Sequence, residues 1–402
     1  MDKKNALELA AFYRKHLLED VMPFWEERTK DEECGGYLTC FDRVGNVTDT
    51  TKYVWFQGRQ LYMFPALYNH IEKRDTWLDL ARWGRDFIVK HAYAGIGGAA
   101  PGRWFYQLDR QGHPQKGTIS IYTDMFVLQG LCEYAVASGS TDDLVLIRET
   151  FDAIERSTLD PDFKDLFHGT WSPRFRRHSI FMSALNTAQV AGQVLGEQRV
   201  EALMDRCLKE SLSVFAKDDH EALFESLGRD DTVVDDQEGR KLDPGHALEA
   251  MGFCLTEGRQ RHDRATVDRA AQVADWMYRR GWDERYGGLV AYLDSSGKEP
   301  PQTAWHRETG MQWHDKNWWA NAEALYTLAA CAVETGNRTW WNRFLELHEW
   351  CWKHFSDPEY GEWYPELLRD GTPKLKDKGT LWKAAYHLPR SLMNTALLLE
   401  EV

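Results

Sequence analysis

Apolar residues recur at helical spacing along most of the chain, in segments that come in pairs. The first, over about residues 5–24, places Leu7, Ala10, Ala11, Leu17, Leu18 and Val21 on one side, the period of a helix with one buried face. The same period predicts helices over 52–70, with Pro65 as a bend, and over 76–91. Pairs follow at 123–137 with 141–157, 178–196 with 199–215, 245–258 with 265–280, and 318–335 with 339–354. A last helix over 383–400 completes about twelve, or six pairs. Ser138-Gly139-Ser140 breaks one pair, and Asp243-Pro244 opens another in the way Pro favours a first helical turn.

Between the pairs the pattern changes to short aromatic and aliphatic runs bounded by glycine. Four are alike: GGYLTCFDRVG (35–45), GRWFYQLDRQG (102–112), YGGLVAYLDSSG (286–297) and GEWYPELLRDG (361–371). Each reads as a β-hairpin or a strand with a tight turn. Two weaker copies, 169–177 and 223–239, complete six units. The glycine-rich run 94–102 lacks the order of a dinucleotide loop and reads as a connection into the second hairpin.

A helix pair cannot bury both of its apolar faces alone. Six pairs stack most naturally into a closed ring, one layer of helices inside another. The expected fold is an all-α (α/α)6 barrel, a single domain over residues 1–402, with its hairpins gathered at one rim. A doubly wound parallel sheet is disfavoured, because the strands come as hairpins.

Composition narrows the partners. The net charge is −14 with no basic stripe, which argues against nucleic acid. Seven cysteines without a CxxC pair form neither a disulfide framework nor a zinc-knuckle spacing. No window approaches a membrane span, and the charged, amphipathic N-terminal segment has no signal-peptide core. The expectation is a soluble cytoplasmic protein. The 18 Trp, 16 Tyr and 18 Phe mostly fill a helical core, but several stand beside carboxylates and arginines, as in a sugar site.

Four groups on predicted inner helices carry possible chemistry. In VWFQGRQ, the mid-helix Gly58 costs about 1 kcal/mol relative to alanine and so implies close packing or close ligand approach. Arg59 beside it is either an anion clamp or a salt-bridged barrel residue. His246 and Glu249 are three apart on one helical face; a carboxylate beside an imidazole suits a general base, and a packed histidine or a metal ligand pair are the alternatives. With no HExxH or spaced third ligand nearby, no metal is expected. The stretch 305–323 gathers His306, Glu308, His314, Asp315, Trp318, Trp319 and Glu323, with Asp315 or Asn317 as a helix cap, and a buried Glu323 needs a partner. In WKAAYHLPR, His387 starts the last helix, where free N–H groups favour a neutral imidazole, and Arg390 is available for an oxygen or a carboxylate.

The motifs WFQGRQ (55–60), PGHALEA (244–250), WWANAEAL (318–325) and YHLPR (386–390) resemble the N-acylglucosamine 2-epimerase family over essentially the whole length. The resemblance implies an (α/α)6 barrel acting on the reducing end of sugars, His246 and His387 as catalytic residues, and Arg59, Glu249 and Glu323 around the sugar. It also implies a homodimer. QGR and HLPR are similar to the N-acylglucosamine and N-acylmannosamine epimerases; the WKAAYH lead-in is similar to the cellobiose branch.

Both readings converge on proton transfer at carbon. Inverting C2 of a ring-opened sugar requires a proton removed from one face and returned to the other, hence two bases. His246 and His387 would supply them, Arg59 the oxyanion contact, Glu249 would tune His246, and Glu323, Trp318 and Arg390 would bind or position the sugar. No cofactor is required. An aldose–ketose isomerase needs only one base on one face. An inverting glycosidase would use Glu308 with Asp315 or Glu323, and a sugar-binding module would need no convergence of the histidines.

Overall fold

The computed structural model describes residues 3–95, 100–166, 172–302, 307 and 309–402. Among the described residues, twelve helices form two concentric layers. We number them α1 (Lys3–His16, continued through a widened turn at Leu17–Val21 into Met22–Arg28), α2 (Val54–His70), α3 (Asp75–His91), α4 (Ile121–Ser138), α5 (Leu144–Leu159) and α6 (His178–Leu195). The second half holds α7 (Glu197–Lys209), α8 (Pro244–Gln260), α9 (Arg264–Gly281), α10 (Trp318–Thr335), α11 (Arg338–His354) and α12 (His387–Glu400).

The even-numbered helices form a closed ring in which each packs on the next and α12 returns to α2. The odd-numbered helices lie outside them, with α1 packed on α12. Layer follows from pattern. The outer α3 buries only Trp77, Ala81, Gly84, Phe87 and Ile88, a single stripe, whereas the inner α2 is buried all round from Val54 to Leu67, as a helix covered on both sides must be. The (α/α)6 barrel expected from the sequence is therefore the fold. Gly58 is a packing residue: a Cβ there would stand 2.6 Å from the backbone of Phe126 in α4, so the helices touch backbone to backbone.

Among the described residues, the strands lie at the rim where the inner helices begin. β3 (Lys52–Tyr53), β6 (Phe175–Arg177), β10 (Lys241–Leu242) and β12 (Lys316–Asn317) lead into or toward α2, α6, α8 and α10. Each pairs antiparallel with a strand of a later unit: β4 (Gln107–Leu108), β9 (Ser226–Gly228), β11 (Leu293–Asp294) and β13 (Glu366–Leu367) respectively. Phe41 bridges Gly379 in the same sense and joins the first unit to the last.

Three of the expected hairpins close on themselves: β1 (Cys40–Phe41) with β2 (Val47–Asp49), β4 with β5 (Pro114–Lys116), and β13 with β14 (Pro373–Leu375). The segment 286–297 does not. Leu289 bridges back to Trp282, and the strand after it is taken by β10 from the neighbouring unit. In 223–239 the strand is likewise shared, and of the weak copy 169–177 residues 169–171 lie outside the described set, as do 96–99 of the glycine-rich run. The closing glycines are explained in every strong copy: Gly45, Gly112, Gly297 and Gly371 all have positive φ, which side-chain-bearing residues rarely adopt.

A latch recurs at this rim. In DEECGGY (31–37), DERYGGL (283–289) and DPEYGEW (357–363), the backbone N–H of the aspartate donates to the carbonyl of the sixth residue at 3.1 Å each time. Each aspartate then accepts a lysine of its own or the closing unit and a two-pronged arginine from the next hairpin turn. Asp31 takes Lys52 (2.9 Å) and Arg110 (2.9 and 3.0 Å). Asp283 takes Lys316 (3.1 Å) and Arg369 (2.8 and 3.3 Å). Asp357 takes Lys378 (2.9 Å) and Arg43 (2.8 and 2.9 Å). The last spans 314 residues of sequence and closes the ring.

Burial pushes these carboxyls up, but the paired cations prevail and hold Asp31 and Asp283 at about 2 and Asp357 lower still. Their folded pKa values lie below the ordinary 3.8, so the stability they contribute is present above 3.8 and is lost as pH falls through about 2. Urea unfolding across that window is expected to show stability falling steeply with acid. Asp283→Asn should bind about one proton fewer over the window; an unchanged slope would mean that the latch does not couple to folding.

Candidate active site

Inside the ring, at the strand-bearing rim, lies a cavity of about 520 Å³ lined by residues of all six inner helices. His246, His387, Arg59, Glu249, Trp318 and Arg390 all line it. Glu323, one turn deeper on α10, is 3% exposed and reaches the cavity through its partners. A larger cavity, about 640 Å³, lies among the far ends of α8, α10 and α12. Its arginines are already paired, Arg259 with Glu334 and Glu401 and Arg264 with Asp268, and it contains neither of the two histidines predicted as bases.

His246 is the third residue of α8, and the carboxylate of Asp243 caps that helix by accepting the His246 backbone N–H at 3.1 Å. Its Nδ1 lies 3.2 Å from Glu225 and 3.7 Å from Asp243. The side chain keeps 31% of its surface open to the cavity. Burial lowers the proton affinity of the ring, but Asp243 and Glu225 more than offset it and raise the pKa to about 10.

Glu249 therefore does not serve as the principal partner of His246, contrary to the sequence expectation. Spacing of three puts it on the same face, but one turn further from the rim, where it meets Arg390 and stands 3.7 Å from His387 Nδ1. At its distance it adds only a weaker pull on His246.

His387 opens α12; residues 383–386, expected as the first turn of that helix, are not helical. Its Nδ1 is 2.8 Å from Glu323 Oε1. A carboxylate only accepts, so Nδ1 carries the hydrogen and Nε2 is left as the basic atom. Burial first, then the nearby Arg59, Arg390 and His246, hold this imidazole well below its usual pKa, against the pull of Glu249. The partner that Glu323 requires is thus double: His387, and Arg390 Nη2 at 2.6 Å.

Glu249, Glu323 and His387 bring ligand atoms within 4.8 Å of one another, a grouping able in principle to chelate a cation. The positive charge at that point is the guanidinium of Arg390, which bonds both glutamates through Nη2 and Asn186 and Tyr386 through Nη1 at 3.1 and 2.9 Å. Arg59 is the contrasting case. Its guanidinium lies 4.0 Å from the centroid of Phe126 and 4.9 Å from those of Trp55 and Tyr386. Among the described residues no carboxylate lies within ion-pairing distance of it. Burial brings its pKa down to about 10, so it stays charged near neutrality and faces the cavity as an unneutralised cation held by aromatic rings.

Trp319, whose neighbour Trp318 was the sequence candidate, contacts both histidines. Its ring centroid is 5.1 Å from that of His246 and 5.7 Å from that of His387. Glu225 was missed because it is 21 residues from His246 in a segment without a local signal; Asp243 was legible only as a helix start. Asp315 does not enter the cavity. It is bound by Lys374 at 2.6 Å, and Asn317, at the N-cap position, makes no side-chain cap bond. His306 and Glu308 lie outside the described residues.

The sequence that folds into this barrel matches a known family model. The model for N-acylglucosamine 2-epimerase (GlcNAc 2-epimerase) aligns with residues 36–390. The chain belongs to the N-acylglucosamine 2-epimerase family. The N-acylglucosamine 2-epimerase of Bos taurus is 31% identical over 384 residues, covering 93% of this chain and 87% of the relative. Among solved structures, cellobiose 2-epimerase from Bacillus thermoamylovorans aligns with a TM-score of 0.82 at 17% identity, over 98% of this chain and 99% of that one. A D-mannose isomerase aligns with a TM-score of 0.81 at 20% identity, over 96% and 97%. These two share the barrel of the N-acylglucosamine 2-epimerase family member described here. No helix among the described residues is long and apolar enough to cross a membrane.

Proposed function

We propose that the protein is a sugar 2-epimerase, one catalytic unit over residues 1–402, that interconverts N-acyl-D-glucosamine and N-acyl-D-mannosamine through His246 and His387. The observation that carries this is the convergence of the two imidazoles on one indole in one cavity, each with a carboxylate behind its Nδ1. Such a pair suits removal of a proton from one face of a flat intermediate and its return to the other.

The ring-opened sugar presents an aldehyde at C1 and an acidified C–H at C2. Neutral His387 takes that proton on Nε2, the electron pair of the C2–H bond passes into an enolate whose charge rests on the C1 oxygen, and the charged Arg59 stabilises that oxygen. His246, as imidazolium, returns a proton to C2 from the opposite side. Trp318 and Trp319 offer flat faces for the sugar, and Arg390 with Glu249 and Glu323 fixes His387. The acylated substrate is supported by the identity to the bovine relative. The seven free cysteines suit a reducing, cytoplasmic setting, and a homodimer is the arrangement we expect.

Incubating the protein with N-acetylmannosamine in deuterated water, followed by NMR, tests the reading. The expected product is the C2 epimer carrying deuterium at C2. A ketose product would replace epimerisation with isomerisation, and no C2 exchange with any reducing sugar would reject both.

A further inference from the structure

Each catalytic histidine stands between two acids, yet the acids differ in what else they hold. Glu249 and Glu323, beside His387, share the guanidinium of Arg390. Glu225 and Asp243, beside His246, make no ion pair with an arginine or lysine among the described residues within 4.0 Å, and their near cationic partner is His246 itself.

We infer that Glu225 and Asp243 are positioning residues that keep His246 as the resident proton donor, while Arg390, by occupying Glu249 and Glu323, leaves His387 as the resident proton acceptor. This rests on the two-histidine reading above. The enzyme then rests in one of its two protonation isomers. In a turnover the C2–H bond breaks, its proton goes to His387 Nε2, and a proton from His246 Nε2 forms the new C2–H bond. The product leaves behind a protonated His387 and a neutral His246, so a return of protons through solvent must precede the next turnover in the same direction.

The charged groups around His246 are accounted for element by element. Asp243 is on its own helix cap, Glu249 one turn along the same helix, and Glu225 lies between β8 (Ala222–Leu223) and β9. Lys241 on β10 acts through space on both acids, His178 at the start of α6 acts on Glu225, and His387 faces His246 across the cavity. Burial holds His178 to about 4, so it is neutral and does not compete for the acids. Glu225 resists burial and is held low chiefly by His246, whereas burial raises Asp243. Both acids thus act on His246, Asp243 through space and Glu225 through space and through its contact with Nδ1 at 3.2 Å.

The test is an imidazole ¹⁵N titration of the full-length protein, with the two signals assigned by their loss in His246→Asn and His387→Asn. At about pH 8, His246 is expected to be protonated on both nitrogens and His387 on one. Glu225→Gln should lower the His246 midpoint by about one pH unit or more, tenfold in proton affinity. Asp243→Asn, which retains a helix-capping oxygen, should lower it as well and guards against a folding defect in the first variant. The basic limb of kcat/KM against pH should move down with each midpoint. A neutral His246 in the wild type, or a midpoint unmoved in both variants, overturns the inference. Absence of C2 exchange with the titrations as expected would instead overturn the epimerase reading and leave the charge assignment standing.

Discussion

Replacing His387 with asparagine is expected to lower kcat/KM for epimerisation by about a thousandfold, and His246→Asn to do the same, with the far-ultraviolet circular dichroism of each variant unchanged. The two losses should differ in kind. His387→Asn removes the group that takes the first proton, so deuterium exchange at C2 should vanish along with turnover for substrate entering from that face. His246→Asn leaves the acceptor in place, and exchange into the starting sugar should survive while the inverted product does not form. Equal loss of exchange in both variants would count against separate roles. Unfolding of either would mean that the histidine supports the barrel and not the chemistry.

The second large effect concerns Arg390. It is 2% exposed and is the shared counter-charge of two buried glutamates. Arg390→Met keeps much of the volume and leaves both acids without their cation, which is expected to cost about 3 to 5 kcal/mol in urea unfolding. The catalytic consequence has a definite sign. With Glu249 and Glu323 released, both pull a proton onto His387, its folded pKa rises, and the free base is regained only at higher pH. The acid limb of kcat/KM should therefore shift upward, and activity lost at neutral pH should recover in part as pH rises. A variant with reduced stability but an unshifted limb would show that Arg390 braces the barrel without setting the charge of His387.

How much of this was legible in the sequence depended on the range of the interaction. Trp318–Thr335 was legible to the residue, because its apolar period is local and Gly336 ends it in a left-handed cap. His387 and Arg390 were legible as a helix start and a cation three residues on. The hairpin over 286–297 was not, because Leu293 and Asp294 pair with Lys241 and Leu242, and a local run carries no record of a distant strand. The His246–Glu249 spacing misled for a related reason: three residues put Glu249 on the correct face but nearer to Arg390 than to the imidazole. The latches at Asp31, Asp283 and Asp357 escaped notice because each arginine comes from another unit.

The seam of the ring has a consequence for how the protein is made. Phe41 with Gly379, Arg43 with Asp357, and Arg14 with Glu400 at 2.8 Å all join the beginning of the chain to its end. These contacts span hundreds of residues, so they form only when the last segment is available, and such long-range closure is slow. That segment, α12, also carries His387 and Arg390. A ribosome-bound chain can therefore stack most of its helix pairs while it has neither a closed barrel nor the histidine proposed as its proton acceptor. Architecture and reactivity arrive together, with the same final helix.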